Sequence, residues 1–245
     1  MSVFSDLFSL FAQLVEHLAD LLRPLFHGSA AAVAIVVFTA LVRLLVHPLS
    51  RAAARGQRAR AALQPRIAEL REKHAGDPQR LQRAVLELHT EEKVSPLSGC
   101  LPSLLQLPAF FLLYHLFSSA EIGGAGNALL AHRLFAAPLG GRWADALADG
   151  GLLGPAGLVY LALFVLVAAV AAFTYRRTKR TMAQNPVPAA TGTGEQVPGL
   201  GALTKAAPFM SFFTLVTVAV VPLAAALYVV TSTTWSALER AALYR

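Results

Sequence analysis

Residues Ala30 to Val46 read AAAVAIVVFTALVRLLV. These seventeen residues hold one formal charge, Arg43, and their length is at the short end for a helix that crosses a bilayer. Pro48 is expected to close the helix, because proline has no backbone donor and clashes with the preceding turn. So apolar a helix needs either a large protein core or lipid around it. The rest of the chain favours lipid. Mean hydropathy is +0.55 and only 14% of the 245 residues are charged, where a soluble domain carries about a quarter.

Further apolar blocks follow on the carboxyl side. Cys100–Phe117 (CLPSLLQLPAFFLLYHLF) predicts a second span, kinked at Pro102 and Pro108. Leu152–Tyr175 predicts a third, ended by Arg176, Arg177, Lys179 and Arg180. The block Ala206–Leu238 reads either as one tilted helix of about 25 residues with a tail, or as two short helices folded back at Val221-Pro222. Pro222 in mid-block favours the fold-back.

Between the first two spans lies the polar stretch Arg51–Ser98. Leu63, Ile67 and Leu70 recur at helical spacing, as do Leu81, Val85 and Leu88, with a Gly76-Asp77-Pro78 turn between. The pattern predicts a helical hairpin. Before the first span, residues 3–26 place Phe4, Phe8, Phe11, Val15, Leu18 and Leu22 on one face, with Asp6, Gln13, Glu16, His17 and Asp20 between them. This is an amphipathic helix ending near Pro24 and Gly28, either lying in a membrane interface or packed on other protein.

Charge sets the orientation. With five spans and the amino terminus outside, the outer segments hold three basic residues against six acids, a net of −3. The inner segments hold seventeen against eight, a net of +9. This obeys the positive-inside rule, whereas four spans would put Arg240 and Arg245 outside. The expected organisation is an all-α, polytopic membrane protein. It has an extracytoplasmic amphipathic helix over 1–28, spans over 29–50, 100–118, 152–175, 206–221 and 222–240, a cytoplasmic hairpin over 51–99, an outer loop over 119–151, a cytoplasmic linker over 176–205 and a cytoplasmic tail over 241–245.

Arg43 sits about 6 Å inside His47 and about 12 Å inside Arg51 at helical rise. A centred arginine costs roughly 2.5–3.5 kcal/mol on insertion scales. It either snorkels to the cytoplasmic headgroups or faces a water-lined cavity. With no Asp or Glu in a span to neutralise it, it is expected to meet water or an anionic group brought by a partner. Thr39 lies one turn away on the same face. Gln106 sits mid-span and suits helix–helix bonding, while Ser103, Ser211, Thr214 and Thr217 add mild polarity and can bond their own helix carbonyls.

Other chemistry is sparse. The seven histidines stand singly, with no HExxH or Cys/His cluster at ligand spacing, no GxSxG and no phosphate loop. Neither a metal, a cofactor nor covalent catalysis is expected. Cys100 is the one cysteine, so no intrachain disulfide forms. Leu97-Ser98-Gly99-Cys100 spells a lipobox, but a charged segment precedes it where a signal peptide would stand, so lipidation is not expected; nor is a signal peptide at residues 1–28, which lack a basic n-region followed by a cleavable apolar run. The hairpin's basic residues are diluted by Glu69, Glu72, Glu87, Glu91 and Glu92, which argues for a solvated face near anionic lipid over sequence-specific nucleic-acid binding; ribosomal RNA is left as an indirect partner.

The order of these features resembles the YidC family of membrane protein insertases. The resemblance rests on TALVRLLVHPLS in the first span, on Leu63-Gln64-Pro65-Arg66-Ile67-Ala68-Glu69-Leu70 in the hairpin, on VSPLSGCLPSLLQLPAFFLLYHLF in the second span and on the proline-led PLAAALYVVTSTTWSALE. It covers about residues 29–240 and is closest in kind to the short bacterial form without a large outer domain. It implies five spans around a hydrophilic groove open to cytoplasm and lipid and closed outside, in a bacterial plasma membrane. Arg43 matches the family's groove arginine, and Thr39, Ser103, Gln106 and Thr214 are expected to line the groove with it. Gln64, Pro65 and Arg66 are the expected contacts of the hairpin. The implied clients are nascent membrane proteins, with the Sec translocon and the ribosome as candidate partners. The chain departs from the family pattern at Val229, where tryptophan is common, at Ser95, where asparagine is usual, and in AAFTYRR at the inner end of the third span. With no long basic tail after Arg245, ribosome binding by a tail is not expected. A small transporter or channel, or a structural assembly factor, is the alternative. The first gains little from a chain lacking intramembrane carboxylates and inverted repeats.

Overall fold

The computed structural model describes residues 3–94, 101–122, 125–184 and 207–243. Helix α1 (Val3–Phe26) leads through a 3₁₀ turn (His27–Ser29) into α2 (Ala30–Lys73). Then come α3 (Pro78–Glu91) and α4 (Leu101–Ser118). The antiparallel pairs β1–β2 (Glu121–Ile122, Ala125–Gly126) and β3–β4 (Arg133–Leu134, Ala137–Pro138) follow, with α5 (Trp143–Gly150) and α6 (Pro155–Gln184) after them. A 3₁₀ segment, Ala207–Phe212, continues into α7 (Phe213–Val220) and then α8 (Leu223–Leu243).

Helix α8 is the axis of the bundle. Every residue from Leu223 to Val230 is buried, and α2, α4, α6 and α7 all pack on it. A helix buried all round is surrounded by other helices. Small side chains make the approach possible: Ala224, Ala225 and Ala226 on α8, and Ala30, Ala31, Ala32 and Ala34 on α2, are all buried. The outward faces are apolar as well. Leu44 and Leu45 on α2, Phe111 on α4, Val165 and Leu166 on α6 and Phe213, Val216 and Val220 on α7 are exposed. A water-soluble bundle would carry its charges there, so the apolar surface belongs in lipid. Among the described residues, two helical stretches are long and apolar enough to cross a bilayer, one within Phe8–Lys73 and one at Pro155–Ala183.

Pro48 does not close the first helix. Helix α2 runs on through Pro48 and Pro65 to Lys73. A proline inside a helix removes one hydrogen bond and costs about 3 kcal/mol, and the Ala/Arg-rich run 51–62 that follows is strongly helix-forming. Past it, Leu63 and Ile67 of α2 bury themselves against Leu88 of α3, with Leu70, Val85 and Val94 packed alongside. Asp77 caps α3 by accepting from the Arg80 amide at 3.0 Å, and Pro78 takes the first helical position.

Helix α1 packs on α2 through Val15 and Ala19, with Phe8, Phe11, Leu18 and Leu22 beside them. Its other flank, Leu10, Leu14, Leu21 and Leu25, is exposed. One apolar arc is thus divided between protein contact and an outward stripe.

The segment expected as a plain outer loop is built. It forms the two β-hairpins and α5, elements too short to impose a readable period on their sequence. Ile122, Leu129, Ala137, Leu139 and Ala146 join the main core. The first amides of α8 have no partner in their own helix. This segment supplies them: Gly141 O accepts from Leu223 N at 2.9 Å and Leu139 O from Ala224 N at 2.8 Å. Tyr160 of α6 donates its hydroxyl to the same Gly141 oxygen at 2.6 Å, and Trp143 lies against Tyr160 and Phe164. The segment closes over the start of α8 at this end.

The last apolar block turns at Val221-Pro222, where Val221 is extended, so α7 and α8 are separate helices. Helix α6 passes the expected end at Tyr175 and reaches Gln184. Cys100, Ser95 and residues 185–206 lie outside the described residues.

Candidate polar groove of the bundle

Two polar features sit in the half of the bundle away from the closed end. The first is the seam between α2 and α8. Arg43 is half-buried and donates from Nη2 to Ser232 Oγ. One turn further along α2, His47 Nδ1 meets Glu239 Oε1 at 2.5 Å, and beyond that Arg58 donates to the Leu243 carbonyl. Steps of four and eleven on α2, and of seven and four on α8, keep these rungs on facing sides. Ser232 is only 4% exposed, so its hydroxyl is a dry partner for the guanidinium. Glu239 and Arg240, of opposite sign, both act on the Arg43 charge. This corrects the expectation that no protein group answers Arg43: a serine binds it, and a carboxylate lies within electrostatic reach. An arginine offers five donors, and one goes to Ser232.

The second feature is a cavity of about 230 Å³ between α6, α7 and α8. Val167, Val170, Ala171 and Thr174 of α6, Ser211, Thr214 of α7, and Thr233, Ser236, Ala237 and Arg240 of α8 line it. It opens at one side and has room for several waters. The Thr174, Thr233 and Ser236 hydroxyls donate to their own helices, at 2.9 Å to Val170 O, 2.8 Å to Val229 O and 3.0 Å to Ser232 O. They therefore turn acceptor lone pairs to the cavity, while Arg240 brings donors. Ser232 and the cavity-facing Thr233, Ser236 and Arg240 lie roughly a quarter-turn apart on α8. Two buried polar atoms of the same helix, Thr234 Oγ1 and Trp235 Nε1, have no protein partner.

The expected groove residues fall in different places. Thr39 is 1% exposed and its hydroxyl is spent on Ile35 O at 2.7 Å; it packs in the core one turn from Arg43. Thr214 lines the cavity, away from the Arg43 seam. Ser103 and Gln106 lie on α4, but their side chains are outside the described set. On the α2–α3 arm, Gln64 and Pro65 are exposed, and Arg66 pairs with Glu92. Arg66 also borders a groove of about 340 Å³ with Glu69, Lys73, Glu87 and Glu91. Sequence reasoning missed Ser232, His47 and Glu239. The available signal was the matched spacing of polar residues on two otherwise apolar helices.

Comparison with known proteins gives this geometry a family. A membrane protein insertase YidC of Polynucleobacter asymbioticus is 41% identical over 101 residues, 41% of this chain and 18% of that protein. The protein of that name in Ralstonia nicotianae is 46% identical over 92 residues, 37% of this chain and 17% of its own length. The one in Clostridium perfringens is 34% identical over 114 residues, 46% of this chain and 48% of that protein. The match thus spans less than a fifth of the first two relatives and about half of the third. The sequence model of the 60Kd inner membrane protein family matches residues 22–245. This is a membrane protein, and the chain belongs to the 60Kd inner membrane protein family.

Proposed function

We propose that the chain is a membrane protein insertase that passes polar tails of nascent membrane proteins through a wet groove and releases their apolar segments into lipid. The observation that carries the reading is Arg43, a charge half-buried between apolar helices in a chain of this family. In this reading α2 up to about Ser50, α4, α6, α7 with its 3₁₀ lead-in, and α8 are five spans with the amino terminus outside. The rest of α2 with α3 is a cytoplasmic hairpin, and residues 185–206 join α6 to α7 on the cytoplasmic side. The closed end, where Gly141 and Leu139 meet α8, faces outward.

The mechanism needs no nucleotide and no covalent step. The cavity bordered by Thr214, Ser236 and Arg240 holds water, and Arg43 lies across α8 from it, on Ser232. A tail carrying carboxylates is drawn toward the two guanidiniums, which replace part of the hydration it would otherwise lose. Acceptor hydroxyls of Thr174, Thr233 and Ser236 receive its backbone amides. The fourth span is short: six 3₁₀ and eight α residues reach only about 24 Å, against about 30 Å of hydrocarbon. A short span thins the bilayer locally and shortens the dry part of the path. The client's apolar segment then leaves for lipid, favoured by roughly 25 cal/mol per Å² removed from water. The hairpin, with Gln64, Pro65 and Arg66 at its surface, receives the client or meets the Sec translocon or ribosome.

The test is reconstitution of the purified chain into liposomes with one defined single-span client bearing a short acidic tail. Protease protection of the tail should appear with the wild type and fall at least several-fold with Arg43→Ala. Equal protection with protein-free liposomes, or with both proteins, would remove the substrate-handling role.

A further inference from the structure

Phe135 stands out on the outer face. It occupies the first position of the two-residue loop between β3 and β4, where Leu134 pairs with Ala137. Its φ is +52°, a region disfavoured for a bulky L-residue and usually given to glycine in such hairpins. Its side chain is 79% exposed. A strained backbone that presents an aromatic ring to the outside calls for something there to receive it.

The structure places this tip at a definite depth. The Phe135 amide donates to Ser29 Oγ at 3.4 Å, and Ser29 is the residue before the apolar run of α2 begins. The tip therefore sits level with the outer boundary of the first span. Leu21, Leu25 and Phe26 at the end of α1 are exposed beside the same turn, so the apolar surface continues from lipid-facing α2 toward the hairpin. Boundary depth is where aromatic rings settle, with an apolar face in the acyl region and the headgroups above. Exposed Arg133, two residues earlier, carries the charge that phosphate groups accept.

We propose that Phe135 is an interfacial anchor: the β3–β4 tip inserts its ring into the outer leaflet and fixes the closing segment, and with it the cap on α8, at the membrane surface. The occupant is lipid. This rests on the reading of α2 as a span.

The experiment is nitroxide labelling of the full chain in liposomes on a Cys100→Ser background, at Phe135→Cys, at Ala128→Cys in the same outer segment, and at Leu45→Cys on the exposed face of α2. Collision with oxygen, which concentrates in lipid, is compared with collision with a water-soluble nickel chelate. Phe135 should resemble Leu45, with chelate collision several-fold below that at Ala128. A Phe135 label as accessible to chelate as Ala128, while Leu45 keeps its lipid pattern, overturns the anchor alone. A Phe135 label shielded from both reagents overturns lipid in favour of a protein occupant. A Leu45 label open to the chelate overturns the spanning reading and the anchor together.

Discussion

Replacing Arg43 with leucine should leave the protein at least as stable as the wild type, although it removes a hydrogen bond. The guanidinium costs roughly 3 kcal/mol on insertion scales when centred. Its bond to Ser232 returns about 1 kcal/mol, the usual size of an interhelical polar contact in lipid. Glu239 and Arg240 act on it with opposite sign. Because Arg43 is half-buried and can reach toward water, the full cost is discounted, leaving a net gain near 1 kcal/mol for Arg43→Leu, about fivefold in the folding equilibrium. The Ser232 hydroxyl left behind can turn to its own helix carbonyl. Ser232→Ala should behave oppositely, losing about 1 kcal/mol because the cation stays and its partner goes. Reversible unfolding in mixed micelles, following helix loss against denaturing detergent, measures both. If Arg43→Leu unfolded more easily than the wild type by more than about 1 kcal/mol, the arginine would be holding the seam together, and its retention would need no client.

Three further outcomes follow from the packing. Thr39→Val should change both stability and insertion little, within about 1 kcal/mol and twofold, because the lost hydroxyl serves only its own helix; a large insertion defect in the liposome assay would return Thr39 to the groove. Tyr160→Phe removes the hydroxyl bonded to Gly141 and should cost about 1–2 kcal/mol, with faster amide exchange at Leu223 and Ala224 as the readout of a loosened cap. Leu63→Ala empties the small cluster with Ile67 and Leu88 and should cost about 2–3 kcal/mol. Exchange should rise in α3 and the end of α2 while Leu223–Val230 stays protected, since the two cores share no residue.

Much of this was readable where periodicity is long. Phe8, Phe11, Leu18 and Leu22 pack beside the core on one face of α1, and the last apolar block breaks at Val221-Pro222, features set by spacing and by a proline at a junction. Pro48 misled because local sequence cannot tell a proline that ends a helix from one the next turns carry through. The outer segment was opaque for another reason. Its strands have two residues each, and its order comes from carbonyls that accept from the first amides of α8, a tertiary relation no local pattern records. In the polar groove, Arg43 was conspicuous because a charge in an apolar helix is. Ser232 and Glu239 were not, since a serine in mid-helix and a glutamate near a helix end are unremarked until the facing helix is known. Thr39 shares a face with Arg43 yet is buried, its hydroxyl turned to the Ile35 carbonyl of its own helix.

The central claim is that a fixed positive charge in the membrane makes acidic tails cheaper to move. Its most direct measurement is a client series in the reconstituted system, identical except for zero, one, two or three carboxylates in the tail. Initial rates of tail protection would be taken for wild type, Arg43→Lys and Arg43→Ala. The account predicts rates that rise with carboxylate number in the wild type, rise less steeply with lysine, which keeps the charge without the fork, and do not rise with alanine. Parallel dependence in all three proteins, or none in the wild type, would contradict it.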